Sequence, residues 1–176
     1  MCSRSIWKVC GGNWIVPESA IVNSSPLIFL SKVGMLDFLR LAAKEVWVPE
    51  AVTQEIGRRG PIDVTARALA RTPWLQPIDV PAIPNVIQSW ALGPGESAVL
   101  AYAYAYPGTV AVIDDGMGRR CAETLGIPLN GTLGLVMTAK IRGVIPAARP
   151  VVETLKQHGM YLSRSVINRA LALVGE

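Results

Sequence analysis

The chain has 176 residues, of which 51% are hydrophobic and 17% are charged, and its formal net charge is +4. This length fits one domain, and no apolar run approaches the roughly 18 to 20 residues of a membrane span, so we expect no association with a membrane. Cys2, Cys10 and Cys121 have neither the spacing of a structural zinc site nor the density of a disulfide scaffold. This cysteine usage favours a reducing, cytoplasmic compartment.

The N-terminal part of the chain is predicted to hold an extension followed by the start of the domain. Residues 1–18 lack the apolar stretch of about 7 to 15 residues found in signal peptides, and we expect a poorly ordered extension there. The domain then occupies residues 19–176. It begins with a short apolar strand over 19–23 and a Ser-Ser-Pro sequence, in which a serine cap and a proline in the first turn predict a helix. Apolar spacing next predicts helices over 26–33 and 35–43, a strand over 45–48 and a helix over 49–57.

The rest of the domain is predicted to alternate between strands and helices. A helical segment over 62–71 and a strand-like segment over 74–80 belong to a connection whose prolines exclude a long helix. A Gly-Pro-Gly sequence at 93–95 opens an alanine-rich helix, which is followed by a strand over 109–113. Further helices are predicted over 118–125, 132–142, 147–158 and 163–174. Strands that alternate with helices predict an α/β fold with a mainly parallel central sheet flanked by helices.

Two of the predicted strands, 19–23 and 109–113, end in polar residues directly before a helix. Open α/β sheets bind ligands at the edge where the carboxyl ends of parallel strands meet, so we expect a site there. Asp114 and Asp115 follow the second strand, and adjacent carboxylates repel each other unless a cation offsets their charge. Mg²⁺, which prefers oxygen ligands, is the simplest such cation. The alternative is that the pair caps the next helix, which is the commoner role of such acids.

Two glutamates are candidates for the same site. Glu96 stands in the first turn of the helix opened by Gly-Pro-Gly, where the helix dipole favours its ionised form, although alone it is equally a capping acid. Glu55 lies beside Val52 and Ile56, which are expected to face the core, and its alternative is an exposed helix residue. Glu50 is about 140° round the same helix from Glu55, so the two are not expected to face one ion, and Glu55 is favoured.

The order of these segments resembles a known family. The matching stretches are 21–28 (IVNSSPLI), 48–56 (VPEAVTQEI), 92–98 (LGPGESA), 112–119 (VIDDGMGR) and 130–134 (NGTLG), with 143–146 and 158–163 near the C-terminus. Over about residues 20–176, the chain resembles the PIN-like nucleases, specifically their DUF3368 branch. The resemblance implies a three-layer α/β fold, acids that converge on Mg²⁺ or Mn²⁺, cleavage of RNA phosphodiesters, and service as a toxin paired with a small antitoxin protein.

The resemblance also assigns roles to residues at the expected edge of the sheet. Glu55, Glu96 and Asp114 or Asp115 fall on the acidic positions of the family. Where the family usually has an aspartate before Ser-Pro-Leu-Ile, this chain has Asn23, whose amide oxygen can coordinate a hard cation but brings no negative charge. We therefore expect a metal-dependent endoribonuclease whose catalytic and metal-binding residues are Asn23, Glu55, Glu96, Asp114 and Asp115. The alternative is a catalytically weakened scaffold that binds RNA or a protein partner.

Four further residues are candidates for contacts with an RNA substrate, namely Ser24, Arg119, Arg120 and Thr132. Arg119 and Arg120 follow the acidic pair and can grip a phosphate, while Arg119 can equally neutralise the carboxylates. Thr132 can orient a water or a phosphate, although helix capping is the commoner role. Residues 130–176 carry six basic residues against two acidic ones, which suits either a polyanion near the site or a solvated helix face.

The apolar content also bears on assembly. The helical segments over 26–43 offer more hydrophobic surface than one small sheet covers. We therefore expect a homodimer that uses these early helices, with RNA and a small antitoxin as further partners.

Overall fold

A five-stranded parallel sheet forms the centre of the domain. The structure is a computed structural model, and it describes residues 9–10, 13–14 and 16–176. The strands in chain order are β1 (Val9–Cys10), β2 (Asn13–Trp14), β3 (Ser19–Val22), β4 (Glu45–Pro49), β5 (Leu75–Ile78), β6 (Val110–Val112) and β7 (Leu129–Asn130). The central sheet has the order β5-β4-β3-β6-β7, and every neighbouring pair in it is parallel. β1 and β2 form a separate antiparallel pair.

Helices flank this sheet. They are α1 (Ser24–Lys32), α2 (Glu50–Gly57), α3 (Val64–Ala70), α4 (Asn85–Gln88), α5 (Pro94–Ala105), α6 (Gly116–Thr124), α7 (Thr132–Ile141), α8 (Arg149–Gln157) and α9 (Arg164–Ala172), with a 3₁₀ helix over Leu36–Leu41. α5 packs on β3, β4 and β6, whereas α7 packs against the 3₁₀ helix, α8 and α9. The predicted α/β fold with a parallel central sheet is therefore confirmed.

The central strands are buried on both faces. Ala20, Ile21 and Val22 of β3 have no exposed surface, and the three residues of β6 are also buried. Such uniformly apolar strands are typical of a parallel sheet that is covered on both sides. The edge strand β5 contains Pro77, which lies opposite Val48 of β4. Proline is tolerated at a sheet edge because no neighbouring strand requires its missing N–H group.

Most predicted elements are present, and the differences have local causes. α1 begins at Ser24, and its N-cap residue is Asn23 rather than a serine, without a side-chain capping bond. The segment 35–43, predicted as a helix from its apolar spacing, instead contains the 3₁₀ helix, a form that is common in short connectors. The structure adds β7 and α4, which are too short to show a periodic sequence pattern.

The prediction of a poorly ordered extension over residues 1–18 lies largely outside the described residues. In the part of this segment that is described, β1 pairs with β2, and the carbonyls of Pro17 and Glu18 accept hydrogen bonds from the backbone of residues 44 and 45. In the part of the chain that is described, none of the helices combines the length and the apolar character that a membrane crossing requires.

Candidate active site

Three helices begin directly after the carboxyl ends of central strands, at one edge of the sheet. β3 leads through Asn23 into α1, β6 leads through the acidic pair into α6, and β7 leads into α7. The backbone N–H of Asn23 donates to the carbonyl of Val112 (3.0 Å), and that of Ile113 donates to the carbonyl of Asn130 (3.0 Å). These bonds extend the pairing past the strand ends and hold the polar residues at the same edge.

Asn23 and Glu55 meet at the first turn of α5. The Oε1 atom of Glu55 accepts a hydrogen bond from the backbone N–H of Gly95 (3.0 Å). A Cβ atom on Gly95 would lie 2.8 Å from Oε2 of Glu55 and 3.0 Å from Oδ1 of Asn23, so any other residue there would displace these side chains. Asn23 is 1% exposed, and its Oδ1 atom has no hydrogen-bond donor among the described residues. A buried acceptor without a donor is costly, and a bound cation would satisfy it.

Glu96 and Asp115 lie next to each other across Gly118, and each caps a helix. Oε2 of Glu96 accepts from the N–H of Gly93 (2.9 Å), and Oδ2 of Asp115 accepts from the N–H groups of Met117 (2.7 Å) and Gly118 (2.9 Å). A Cβ atom on Gly118 would lie 3.8 Å from both Cγ of Glu96 and Oδ2 of Asp115. The second oxygen of each carboxylate has no hydrogen bond within residues 16–176. Capping therefore leaves one oxygen on each residue for a ligand.

Asp114 is held by the start of α7. Its Oδ1 atom accepts from the backbone N–H of Thr132 (2.7 Å), and its Oδ2 atom accepts from the Thr132 hydroxyl (2.6 Å). Burial raises the pKa of Asp114, although the bonds from Thr132 and the nearby guanidinium of Arg119 act in the opposite direction. Both oxygens of Asp114 are thus engaged within the protein, unlike those of Glu96 and Asp115.

The two arginines after the acidic pair have different surroundings. Nη1 of Arg119 donates to the carbonyls of Ile113 (3.0 Å) and Asn130 (3.3 Å), and so ties the end of β6 to the end of β7. The same guanidinium opposes the rise that burial causes in the pKa of Asp114. Arg120 is exposed, and its guanidinium contacts a methionine in the preceding turn of its own helix. The position of Arg119 therefore suits a residue that stabilises this edge and offsets its negative charge.

A cleft of about 640 Å³ opens beside these residues. Its lining includes Glu96, Asp114, Asp115 and Arg119, together with Ser25 of α1, Asn130 of β7 and Tyr161 between α8 and α9. This lining does not include the predicted site residues Asn23, Ser24, Glu55 and Arg120. Thr132 is fully buried behind Asp114 and does not line the cleft either.

Residues 19–176 match the family model DUF3368, which is described as a PIN domain. The chain belongs to this family of PIN domains. No curated protein matches the chain. PIN domains are generally nucleases, which are hydrolases, and they typically use divalent metals. The family therefore supports a nuclease-type fold for residues 19–176.

In this PIN domain, the five residues that were predicted to bind metal form two pairs and one separate residue. They are the pair Asn23 and Glu55, the pair Glu96 and Asp115, and the separate Asp114. Across residues 16–176, no three His, Cys, Asp or Glu side chains are grouped closely enough to hold a metal ion. The donor atoms nevertheless suit a hard cation, because they are an unpaired amide oxygen and carboxylate oxygens, the ligands that Mg²⁺ prefers.

Two cleft residues of the PIN domain were not identified from the sequence. Asn130 is 5% exposed, its Oδ1 accepts from the N–H of Gly131 (2.8 Å), and its Nδ2 has no acceptor among the described residues. A Cβ atom on Gly134 would collide with the Asn130 side chain, so the Asn-Gly-Thr-Leu-Gly segment contained a signal for this close contact. Tyr161 is 92% exposed, and a single aromatic residue in a loop has no pattern that predicts its position.

Proposed function

We propose that this PIN domain is a metal-dependent endoribonuclease that hydrolyses RNA phosphodiesters with Mg²⁺ or Mn²⁺. The observation that supports this proposal most is the Oδ1 atom of Asn23. It is buried, it has no donor among the described residues, and it lies against the same point at Gly95 as the carboxylate of Glu55. A hard cation satisfies such a pair of oxygen ligands, whereas a purely structural site would supply a hydrogen-bond donor.

Two pairs of residues would hold one or two divalent ions, namely Asn23 with Glu55 and Glu96 with Asp115. Glu96 and Asp115 each use one oxygen to cap a helix, which orients the carboxylate while its other oxygen stays available. When bound, a divalent ion activates water and stabilises the charge that develops on the phosphate. Asp114 would act through its position, because its bonds to α7 hold the ends of β6 and β7 together.

The cleft supplies groups that would contact the RNA. Arg119 is a cation in its wall, and Ser25 lies in the same wall at the start of α1. Phosphate oxygens pair with such N–H and O–H donors, and a guanidinium offsets their charge. Contacts by Ser24 and Arg120 stay predictions that the variants Ser24→Ala and Arg120→Gln would test.

The same proposal includes a biological role as the cytoplasmic toxin of a toxin–antitoxin pair. It rests on the family, together with an acidic cleft that is open to solvent and accessible to a small inhibitory protein. Expression of the chain in its host should stop growth, and the product of a small neighbouring reading frame should restore it. Normal growth on expression, or arrest without rescue, would count against this role.

A second candidate function is a PIN scaffold that binds RNA or a protein partner without cleaving RNA. Asn23 favours this reading, because a neutral ligand in place of a carboxylate lowers the affinity of the site for a divalent cation. The capping bonds of Glu96 and Asp115 also need no metal to form.

Cleavage of single-stranded RNA with Mg²⁺, with Mn²⁺ and with a chelator tests the two candidates. Glu96→Gln and Asp115→Asn keep an oxygen for the cap but remove the charge, so they should abolish cleavage without unfolding the protein. Glu50→Gln, an exposed acid at the start of α2, is the matched control and should retain activity. If neither the natural protein nor Asn23→Asp binds metal or cleaves RNA, the scaffold is the better account.

A further inference from the structure

We infer that the turn between α8 and α9 is a second subsite for single-stranded RNA. Tyr161 stacks on a base, and Arg149, Lys156 and Arg164 hold the adjoining phosphates. The inference rests on the proposed nuclease function, since it describes how the strand continues beyond the acidic cleft.

Tyr161 is displayed to solvent by neighbours that are anchored in the core. It is 92% exposed, whereas Met160 before it is 6% exposed and Leu162 after it packs against the core. Tyr161 is also one of the residues that line the acidic cleft. An aromatic ring this exposed buries little apolar surface and contributes little to the stability of the fold. Proteins that bind single strands stack the bases on aromatic side chains, and the exposed ring of Tyr161 is available for such a contact.

On the other side of the same turn, α8 and α9 form a groove of about 150 Å³. Its lining carries three cations, Arg149, Lys156 and Arg164, against one acid, Glu153. None of these cations forms an ion pair with any residue in the described part of the chain. The charge of Arg149 also acts on the Glu176 carboxylate. Because the groove lining holds three cations and one acid, its excess positive charge creates a potential that attracts phosphates.

Only the first turn of α9 separates this groove from the acidic cleft. Arg164 lines the groove, and Val166, two residues further on, lines the cleft. Because a helix with its side chains is about 10 Å across, a strand bound in the cleft crosses a short distance to reach the cations. An acidic peptide would also bind the cations, but the exposed ring between the two sites is specifically suited to planar bases.

Binding of a fluorescein-labelled RNA of about 12 nucleotides tests this subsite. Anisotropy is measured with a chelator present, so that no cleavage occurs and the readout does not depend on hydrolysis. Tyr161→Ala should weaken binding about tenfold, whereas Tyr161→Phe keeps the ring and should retain the affinity. Lys156→Gln with Arg164→Gln should weaken binding and reduce the slope of log affinity against log salt by about 1.4. Arg67→Gln with Arg71→Gln makes the same charge change on exposed residues at α3 and should leave both values unchanged.

Unchanged RNA affinity in Tyr161→Ala and in the Lys156 and Arg164 double variant would overturn the subsite while leaving cleavage at the acidic site untouched. Tight binding of polyglutamate that is lost in the double variant but not in Tyr161→Ala would also overturn it, in favour of an acidic protein partner. Binding that follows the expected pattern in a protein that never cleaves RNA would support the subsite and count against the nuclease proposal alone.

Discussion

The amide oxygen of Asn23 and the carboxylate of Glu55 both lie within 3.0 Å of the point where a Cβ atom on Gly95 would stand. These groups come from the start of α1 and from α2, and they meet only because the first turn of α5 carries no side chain at this position. The close approach of α1, α2 and α5 therefore depends on the absence of a side chain at Gly95.

Gly95→Ala should destabilise the protein by about 1 to 3 kcal/mol, because the added methyl group forces Glu55 and Asn23 apart in a packed region. Urea unfolding measures the change. Gly57→Ala at the end of α2 is the control, since a Cβ atom there meets nothing within 4 Å, and alanine lowers the entropy of the unfolded chain. Equal stability of Gly95→Ala and the natural protein would contradict the close contact.

Asn23→Asp should make stability more dependent on metal. Without a divalent ion, a second carboxylate beside Glu55 adds like-charge repulsion and lowers the melting temperature. With Mg²⁺ or Mn²⁺ the added charge strengthens binding, so the same variant should gain more stability from the ion than the natural protein does. Calorimetric metal titration and melting curves measure both effects. Asn85→Asp, an exposed residue at the start of α4, is the control for net charge and should show neither change.

Asp63, the N-cap residue of α3, should link stability to pH. Desolvation raises the pKa of its carboxyl, but hydrogen bonds from Ala66, Arg59 and Thr65 outweigh it and hold the pKa below its usual range. Ionisation of Asp63 therefore favours the folded state above the pKa of the unfolded chain, and this contribution disappears as pH falls through the folded pKa. Asp63→Asn keeps the cap but removes the charge. Its deficit in unfolding free energy should be present at pH 7 and disappear in acid solution below the folded pKa of Asp63.

A matched variant of an exposed aspartate separates this linkage from a general charge effect. The Asp37 side chain is 86% exposed, and it pairs with Arg40 at 3.8 Å. Asp37→Asn should change stability by less than about 0.5 kcal/mol at either pH. A pH-independent difference between Asp63→Asn and the natural protein would mean that the charge of Asp63 does not support the fold.

The expected homodimer through residues 26–43 stays a prediction. Much of that segment is covered within one chain, because Leu27, Leu30 and Leu39 have no exposed surface. Ile28 is half-buried and is the position to test. Light scattering should give about twice the chain mass of 18.9 kDa, and Ile28→Glu should return it to the monomer value. Ile62→Glu, which alters an exposed residue outside the segment, should not. A monomer mass at every concentration of the natural protein would contradict the dimer.

Elements with a strong local pattern could be predicted from the sequence. β3 and β6 are apolar at nearly every position, as buried parallel strands are, and the Gly-Pro-Gly-Glu sequence at 93–96 combines a helix start with its capping acid. Capping was the alternative role considered for Glu96 and Asp115, and the structure contains both capping bonds. The position of Asp115 beside the cleft followed from the rule that parallel strands end at one edge, whereas that of Glu96 was implied by the family resemblance.

Contacts between segments that are distant along the chain could not be predicted in the same way. The meeting of Asn23, Glu55 and Gly95 depends on how α2 and α5 pack, and no local pattern encodes a distance between them. The bonds from Thr132 that engage both oxygens of Asp114 likewise join two strand ends. β7 has two residues, so no alternation could reveal it, and the position of Asn130 in the cleft wall was missed with it.

Pro77 has a consequence for how the sheet behaves in a crowded solution. It occupies β5, the outermost strand on its side, and proline carries no N–H group to offer a neighbouring chain. A strand from another chain would find one backbone N–H donor missing at this position. This missing donor discourages the edge-to-edge pairing of sheets that leads to aggregation. This edge of the sheet is therefore a poor surface for joining a second copy of the chain strand to strand.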